Sequence, residues 1–251
     1  MPNNQKLLSD FANNTATDLR LLADLHAQEL SHDCLQALKS NSFSPLLGWL
    51  PEGKLTEALA QMDTAIGEWH TVNTQTVLDT LATDFAAIYL TGHYRASPSE
   101  SAWTDDEELT CQDAMFEVRE LYQAHDLQVP SWRIMADDHL VNELLFVAHL
   151  LEKAAISPDY LREAASFMDE HLMRWLLPFT SRVIQRCDTL FYASLALITG
   201  LYCDQLRDTL ADILGETRPS TEEIEARLKA LANAKAVAVP LQYFPGTAPS
   251  W

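Results

Sequence analysis

An all-α fold is the expectation, and three observations predict it. The chain of 251 residues carries only 7 glycines. Leu, Ala, Glu and Gln dominate, residues that lose little side-chain freedom in a helix, and β-branched runs are few. Apolar residues recur at spacings of three and four along most of the length, the period of one helix face. With 47% hydrophobic residues there is material for a substantial core. The pattern predicts one compact domain of about nine to eleven helices.

The elements follow in order. Residues 1–13 read as a loose lead-in, before a helix over Thr15–Leu30 that carries Leu19, Leu22, Ala23 and Leu25 and projects Arg20. A short helix spans Asp33–Leu38, and Ser42–Pro51, with Pro45, Gly48 and Pro51, is a turn-rich link. Helices then run from about Glu52 to Trp69 and from about Gln75 to Leu90. Thr91–Trp103 breaks the pattern with Gly92 and Pro98 yet holds Tyr94 and Trp103. Thr104-Asp105-Asp106-Glu107 fits a capping box, opening a helix to about His125. A second link, 126–136, contains Pro130 and Trp132.

The stretch Met135–Leu151 organises the chain. Its second half, Leu144-Leu145-Phe146-Val147-Ala148, is almost purely apolar, and a helix apolar all round belongs in a core. Its first half holds Asp137, Asp138, His139 and Glu143; either aspartate fits an N-cap, and His139 and Glu143 stand one turn apart. Ser157-Pro158 starts the next helix, which runs to about Trp175, with Pro178 ending or kinking it before the pattern resumes to Arg186. Asp188 caps a long apolar helix that Gly215 ends. Ser220-Thr221-Glu222-Glu223 is a further capping box for a charged helix to Ala234, and Val237–Trp251 reads as extended. The domain organisation expected is a lead-in over 1–13, a helical domain over 14–215 and a peripheral helix with tail over 216–251.

Charge narrows the partners. Seventeen Lys and Arg against 36 Asp and Glu give a formal net charge of −19. Such a chain repels nucleic acid and anionic membranes and attracts basic partners, although acidity also serves solubility alone. No apolar run approaches the ~20 residues a bilayer needs. Four scattered cysteines without a C-x-x-C pair, and a start lacking a basic segment followed by an apolar one, predict a reduced, cytoplasmic protein.

Catalytic patterns are thin. Glu29-Leu30-Ser31-His32 matches one E-x-x-H motif, but di-iron bundles need a second copy and further glutamates. His139 with Glu143 supplies two ligands, short of a metal site. There is no G-x-S-x-G and no phosphate-cradling glycine loop. The Asp138-His139-x-x-x-Glu143 cluster suits either acid–base chemistry or a helix cap with a buried polar network. In the latter case the Tyr94–Trp103 loop is the natural bonding partner. Tyr94, Trp103 and Trp132 lie in links, where aromatics either grip an apolar ligand or pack the loop down.

Three segments carry a resemblance. Asp84-Phe85-Ala86-Ala87-Ile88-Tyr89-Leu90-Thr91-Gly92 is followed by Ser97-Pro98-Ser99-Glu100-Ser101-Ala102-Trp103. Ala136-Asp137-Asp138-His139-Leu140-x-x-Glu143-Leu144-x-Phe146 is the second. His171-Leu172-x-x-Trp175-Leu176-x-Pro178-Phe179 with Phe191-Tyr192-x-x-Leu195 is the third. Together they resemble the TorD/DmsD/NarJ family of redox-enzyme maturation chaperones, from about Asp18 to Leu210, with Ala136-Asp137 departing from the family's usual pair before Asp-His.

The resemblance implies a TorD-like helical domain with no catalysis and no cofactor of its own. It implies a partner: the twin-arginine signal peptide of a molybdopterin-containing oxidoreductase, held in the cytoplasm until the cofactor is loaded. It also implies either a monomer or a domain-swapped dimer hinged at 126–136. On this reading Asp138 pairs with a leader arginine while His139 and Glu143 orient it. Tyr94, Pro98 and Trp103 line the adjoining groove and Glu100 adds a second acidic contact; Arg20 belongs to this site or instead helps fix Asp138, which is then partly structural. The alternatives are a NarJ-like factor that binds a mature redox subunit, and a helical metal-dependent enzyme using Asp138, His139 and Glu143.

Overall fold

The computed structural model describes residues 2–48, 53–154 and 156–238. It falls into two compact units, Met1–Arg218 and Pro219–Trp251. Among the described residues there are eleven α-helical segments and no strand. The first unit holds α1 (Pro2–Ala27), α2 (His32–Ser40), α3 (Lys54–Glu68), α4 (Thr74–Phe85), α5 (Ser101–Thr104, a single turn), α6 (Asp113–Ala124), α7 (Leu140–Ala154), α8 (Asp159–Phe167), α9 (Met173–Arg186) and α10 (Leu190–Leu214). The second unit contains α11 (Thr221–Ala238).

The centre is α7. Leu140, Val141, Leu144, Phe146, Val147, Ala148, Leu150 and Leu151 are all buried. A helix apolar on every side needs neighbours on every side. α1 lies along it, bringing Leu19, Leu22 and Ala23, and α8 packs against it too. α10 forms a second axis, flanked by α3 and α9. No described helix is long and apolar enough to cross a membrane.

The expected lead-in over 1–13 is corrected: those residues belong to α1 from Pro2 onward. The reason is apolar spacing, since Leu8 and Phe11 pack on the core and Ala12 is buried. The helix predicted over Thr104–His125 is broken. Asp105 closes a turn by accepting from the Glu107 and Leu109 amides, at 3.0 and 3.1 Å, and α6 starts only at Asp113. Glu108 and Cys111 in that turn hold φ of 56° and 59°, which no helix accommodates. Pro178 does not end α9; the helix continues through it with Leu176 and Phe179 buried on either side, at the cost of one intrahelical hydrogen bond.

Other boundaries match local chemistry. Gly215 caps α10 with φ 66°, and its amide reaches the Ala211 and Asp212 carbonyls. The cap at the front of α10 is Thr189, not Asp188: its side chain accepts from the Tyr192 amide. In the second unit Ser220 and Glu223 form the predicted reciprocal capping box, at 2.8 and 3.3 Å. The extended tail expected over Val237–Trp251 lies, from residue 239, outside the described residues, and 237–238 close α11.

Two turns are π-helical: Ala86–Leu90 after α4 and Met168–Leu172 between α8 and α9. Each inserts a residue into the helical ladder and redirects the side chains beyond it, and such turns recur at functional sites. The first leads into the 91–112 segment. The second carries Asp169 and His171, both buried.

Candidate functional site

The 97–101 loop is stitched to the start of α7. The Glu100 amide donates to the Asp138 carbonyl at 2.9 Å and the Leu140 amide to the Pro98 carbonyl at 2.8 Å, an isolated antiparallel bridge centred on Ser99 and His139. Asp138, fully buried, accepts through Oδ2 from the Ser101 amide at 2.8 Å and the Ser101 hydroxyl at 2.5 Å. The Asp138 carboxylate therefore caps the single turn α5 rather than its own helix. The N-cap position of α7 belongs to His139, whose Nδ1 accepts from the Val141 amide at 3.2 Å. A neutral imidazole is required for that bond, and burial lowers the His139 pKa to about 4.

Behind this junction lies a buried acidic cluster. Glu100 receives His171 Nδ1 at 3.0 Å and Arg174 at 3.3 Å. Glu143 accepts from Trp175 Nε1 at 3.0 Å. Burial, with Glu100 and Asp138 nearby, pushes the Glu143 carboxyl well above its usual range. Burial also raises Asp138, against the opposing hydrogen bonds from Ser101. The expected cluster of Asp138, His139 and Glu143 is thus an interior polar network tied to the Tyr94–Trp103 loop, the bonding partner the sequence suggested. Asp137 completes the wall: it pairs with Arg119 at 2.7 Å, and its carbonyl accepts from the Tyr122 hydroxyl at 3.0 Å.

In front of the junction opens a crevice of about 1000 Å³. The π-turn contributes Ile88 and Tyr89, the loop Pro98 and Trp103, the link Trp132 and Ile134, and the cap His139. Trp103 is half-buried, anchored by its indole N–H on the Ser97 carbonyl at 2.8 Å, with Arg182 stacked 4.5 Å from its ring centroid. Arg119 and Arg133 both lie over the Trp132 ring, 5.1 and 4.5 Å from its centroid. Four non-glycine residues among those described have φ between 51° and 59°, and three of them, Arg95, Glu108 and Cys111, line this crevice. Backbone held in the left-handed region concentrates at binding and active sites.

The predicted site residues thus divide. Pro98, Trp103 and His139 line the crevice. Asp138, Glu100 and Glu143 are fully buried behind it, so Glu100 sits on His171 and Arg174 instead of presenting a surface charge. Tyr94 points its hydroxyl to Asp84 at 2.8 Å and its carbonyl to Arg186, so it anchors the loop. The expectation that Arg20 fixes Asp138 is corrected: Arg20 makes a two-pronged pair with Glu152, both bonds 2.9 Å. Among the described residues no group of three or more metal-binding side chains comes together. Sequence reading missed Arg95, Arg133, Arg182 and Arg186, all lining the crevice. The one available signal was the i, i+4 spacing of Arg182 and Arg186 on a single helix face.

Fold and site define an all-α protein with a crevice of about 1000 Å³ beside its central helix. Residues 50–181 match the family described as nitrate reductase delta subunit. A protein of Shewanella pealeana named Chaperone protein TorD is 30% identical over 192 residues, 73% of this chain and 84% of that one. Proteins of the same name from Vibrio cholerae serotype O1 and Histophilus somni are 28% identical over 204 residues and 29% over 185, covering 91% and 88% of their own lengths and 78% and 70% of this chain. The chain belongs to this family, the TorD/DmsD/NarJ family of redox-enzyme maturation chaperones, which is not catalytic.

Proposed function

We propose that this chaperone binds the twin-arginine signal peptide of a molybdopterin-containing oxidoreductase in the cytoplasm and holds the precursor until its cofactor is inserted. The observation that carries the reading is the crevice walled by Pro98, Trp103, Trp132 and His139, held open by the Asp138–Ser101 clamp. An apolar leader segment laid over Ile88, Pro98 and the two tryptophans gains ~0.8 kcal/mol per buried CH₂. The net charge of −19 speeds encounter with a basic leader. Glu108, exposed and lining the crevice, offers a carboxylate to its arginines. Asp138, Glu100 and Glu143 act as positioning residues that set the crevice wall.

The test is titration of a synthetic twin-arginine leader, followed by calorimetry and tryptophan fluorescence. Micromolar or tighter binding is expected. Trp103→Leu is expected to weaken it about tenfold or more while the urea midpoint stays near that of the unaltered chain. No association at low ionic strength overturns the reading. Equal capture of a leader-truncated client reassigns the contact to the mature subunit.

A further inference from the structure

The crevice contradicts the charge of the chain that forms it. Against the overall excess of acid, its lining includes Arg95, Arg133, Arg182 and Arg186 and a single carboxylate, Glu108. Among the described residues none of these arginines lies within ion-pair distance of an acidic side chain. Arg182 and Arg186 each donate one bond to a loop carbonyl, those of Arg95 and Tyr94, at 2.8 and 2.7 Å. A guanidinium has five N–H donors, so most of this capacity faces the crevice and solvent. Arg95 is held by a strained backbone, φ 51°, at the lip. Arg182 and Arg186 hold the loop through these bonds, whereas Arg95 and Arg133 bring charge to the crevice without a carboxylate partner among the described residues.

We infer that the arginine wall is a carboxylate receptor, and that the peptide segment seated against it carries acidic residues next to its apolar stretch. Planar guanidinium groups match carboxylates with paired hydrogen bonds, and neighbouring Trp103 and Trp132 supply apolar contact for the same segment. This names a specificity determinant of the proposed crevice and rests on its being a peptide site. A leader's arginine pair is repelled from this wall, so the wall fixes which end of a bound segment lies where. Arg95 and Arg133 donate no side-chain hydrogen bond among the described residues, so they report on binding without loosening the loop, unlike Arg182 and Arg186.

The experiment uses the full chain and two fluorescein-labelled peptides of one apolar sequence, ending in two glutamates or in two glutamines. At low salt the acidic probe is expected to bind about tenfold tighter, as two or three exposed charge pairs allow. That preference is expected to vanish in the double variant R95Q/R133Q, with the acidic probe losing the greater share of its affinity, and to shrink as salt is raised. Equal affinity for both probes overturns the inference and leaves the peptide reading intact. Failure of both probes to bind overturns the two together.

Discussion

Asp138 and Ser101, far apart in sequence, are joined twice: amide and hydroxyl of the serine converge on one carboxylate oxygen, at 2.8 and 2.5 Å. The serine begins the single turn that ends on Trp103 and Thr104, so the position of the crevice aromatic is set from the front of the central helix. Asp138→Ala removes that acceptor and leaves two donors in a buried place. We expect a loss of ~2–4 kcal/mol in urea unfolding. Limited proteolysis is expected to shift to the 91–112 segment, and an unchanged cleavage pattern would contradict the clamp.

Glu143 carries the second prediction. Its folded pKa is raised, so its contribution to stability is fully present below the unfolded value near 4.5 and is lost as pH rises through the folded value. Glu143→Gln keeps the shape of the protonated acid and cannot ionise. The variant is therefore expected to gain on the unaltered chain as pH climbs above 4.5, read as a widening gap in urea midpoint. Parallel pH curves would count against a protonated Glu143.

Two buried imidazoles act in the opposite direction. His26 bonds to Tyr89 at 2.5 Å and Thr199 at 2.8 Å, and burial lowers its pKa to about 3; His139 is lowered to about 4. The unfolded state takes up these protons first, from an unfolded pKa near 6.5. Stability supplied above pH 6.5 is lost as pH falls toward 4, by ~3 kcal/mol for His139 alone. Replacing His26 with Asn is expected to flatten the acid side of the stability profile, checked by thermal melts between pH 4 and pH 7.

Arg207 and Asp169 form a two-pronged pair, 2.8 and 2.7 Å, with both side chains 5% exposed. It joins α10 to the π-turn that presents His171 to Glu100. Arg207→Leu leaves Asp169 buried without its cation and is expected to cost ~3–5 kcal/mol. The double change Arg207→Leu with Asp169→Leu is expected to recover much of the loss. Denaturant titration of Arg207→Leu, Asp169→Leu and the double variant tests this, and additive losses would show that the pair is not coupled.

Much of the frame was legible. The apolar run of α7 reads as core because nothing on it suits solvent, and Gly215 and the Ser220 box mark ends through backbone chemistry written in one or two residues. Other features are invisible locally. Asp138 looks like a cap for the helix that follows it, but the donors it satisfies come from a loop many residues earlier. Thr104–Glu107 has capping-box composition, yet the left-handed Glu108 and Cys111 terminate the helix before it forms. The arginines of the crevice lie on a loop, a link and a helix, so only folding makes them neighbours.

One carboxylate governs how the crevice can move. Asp84 holds the Tyr94 hydroxyl, the amides of Asp188 and Thr189 and the Thr189 hydroxyl at 2.6 to 3.1 Å. Lifting the loop away from the body would strip a bond from the residue that anchors the front of α10. Widening by that route is energetically uphill, so a cargo meets a mould already set and has to conform to it. Discrimination among clients would then lie in which sequences fit the fixed shape, with little help from rearrangement of the loop.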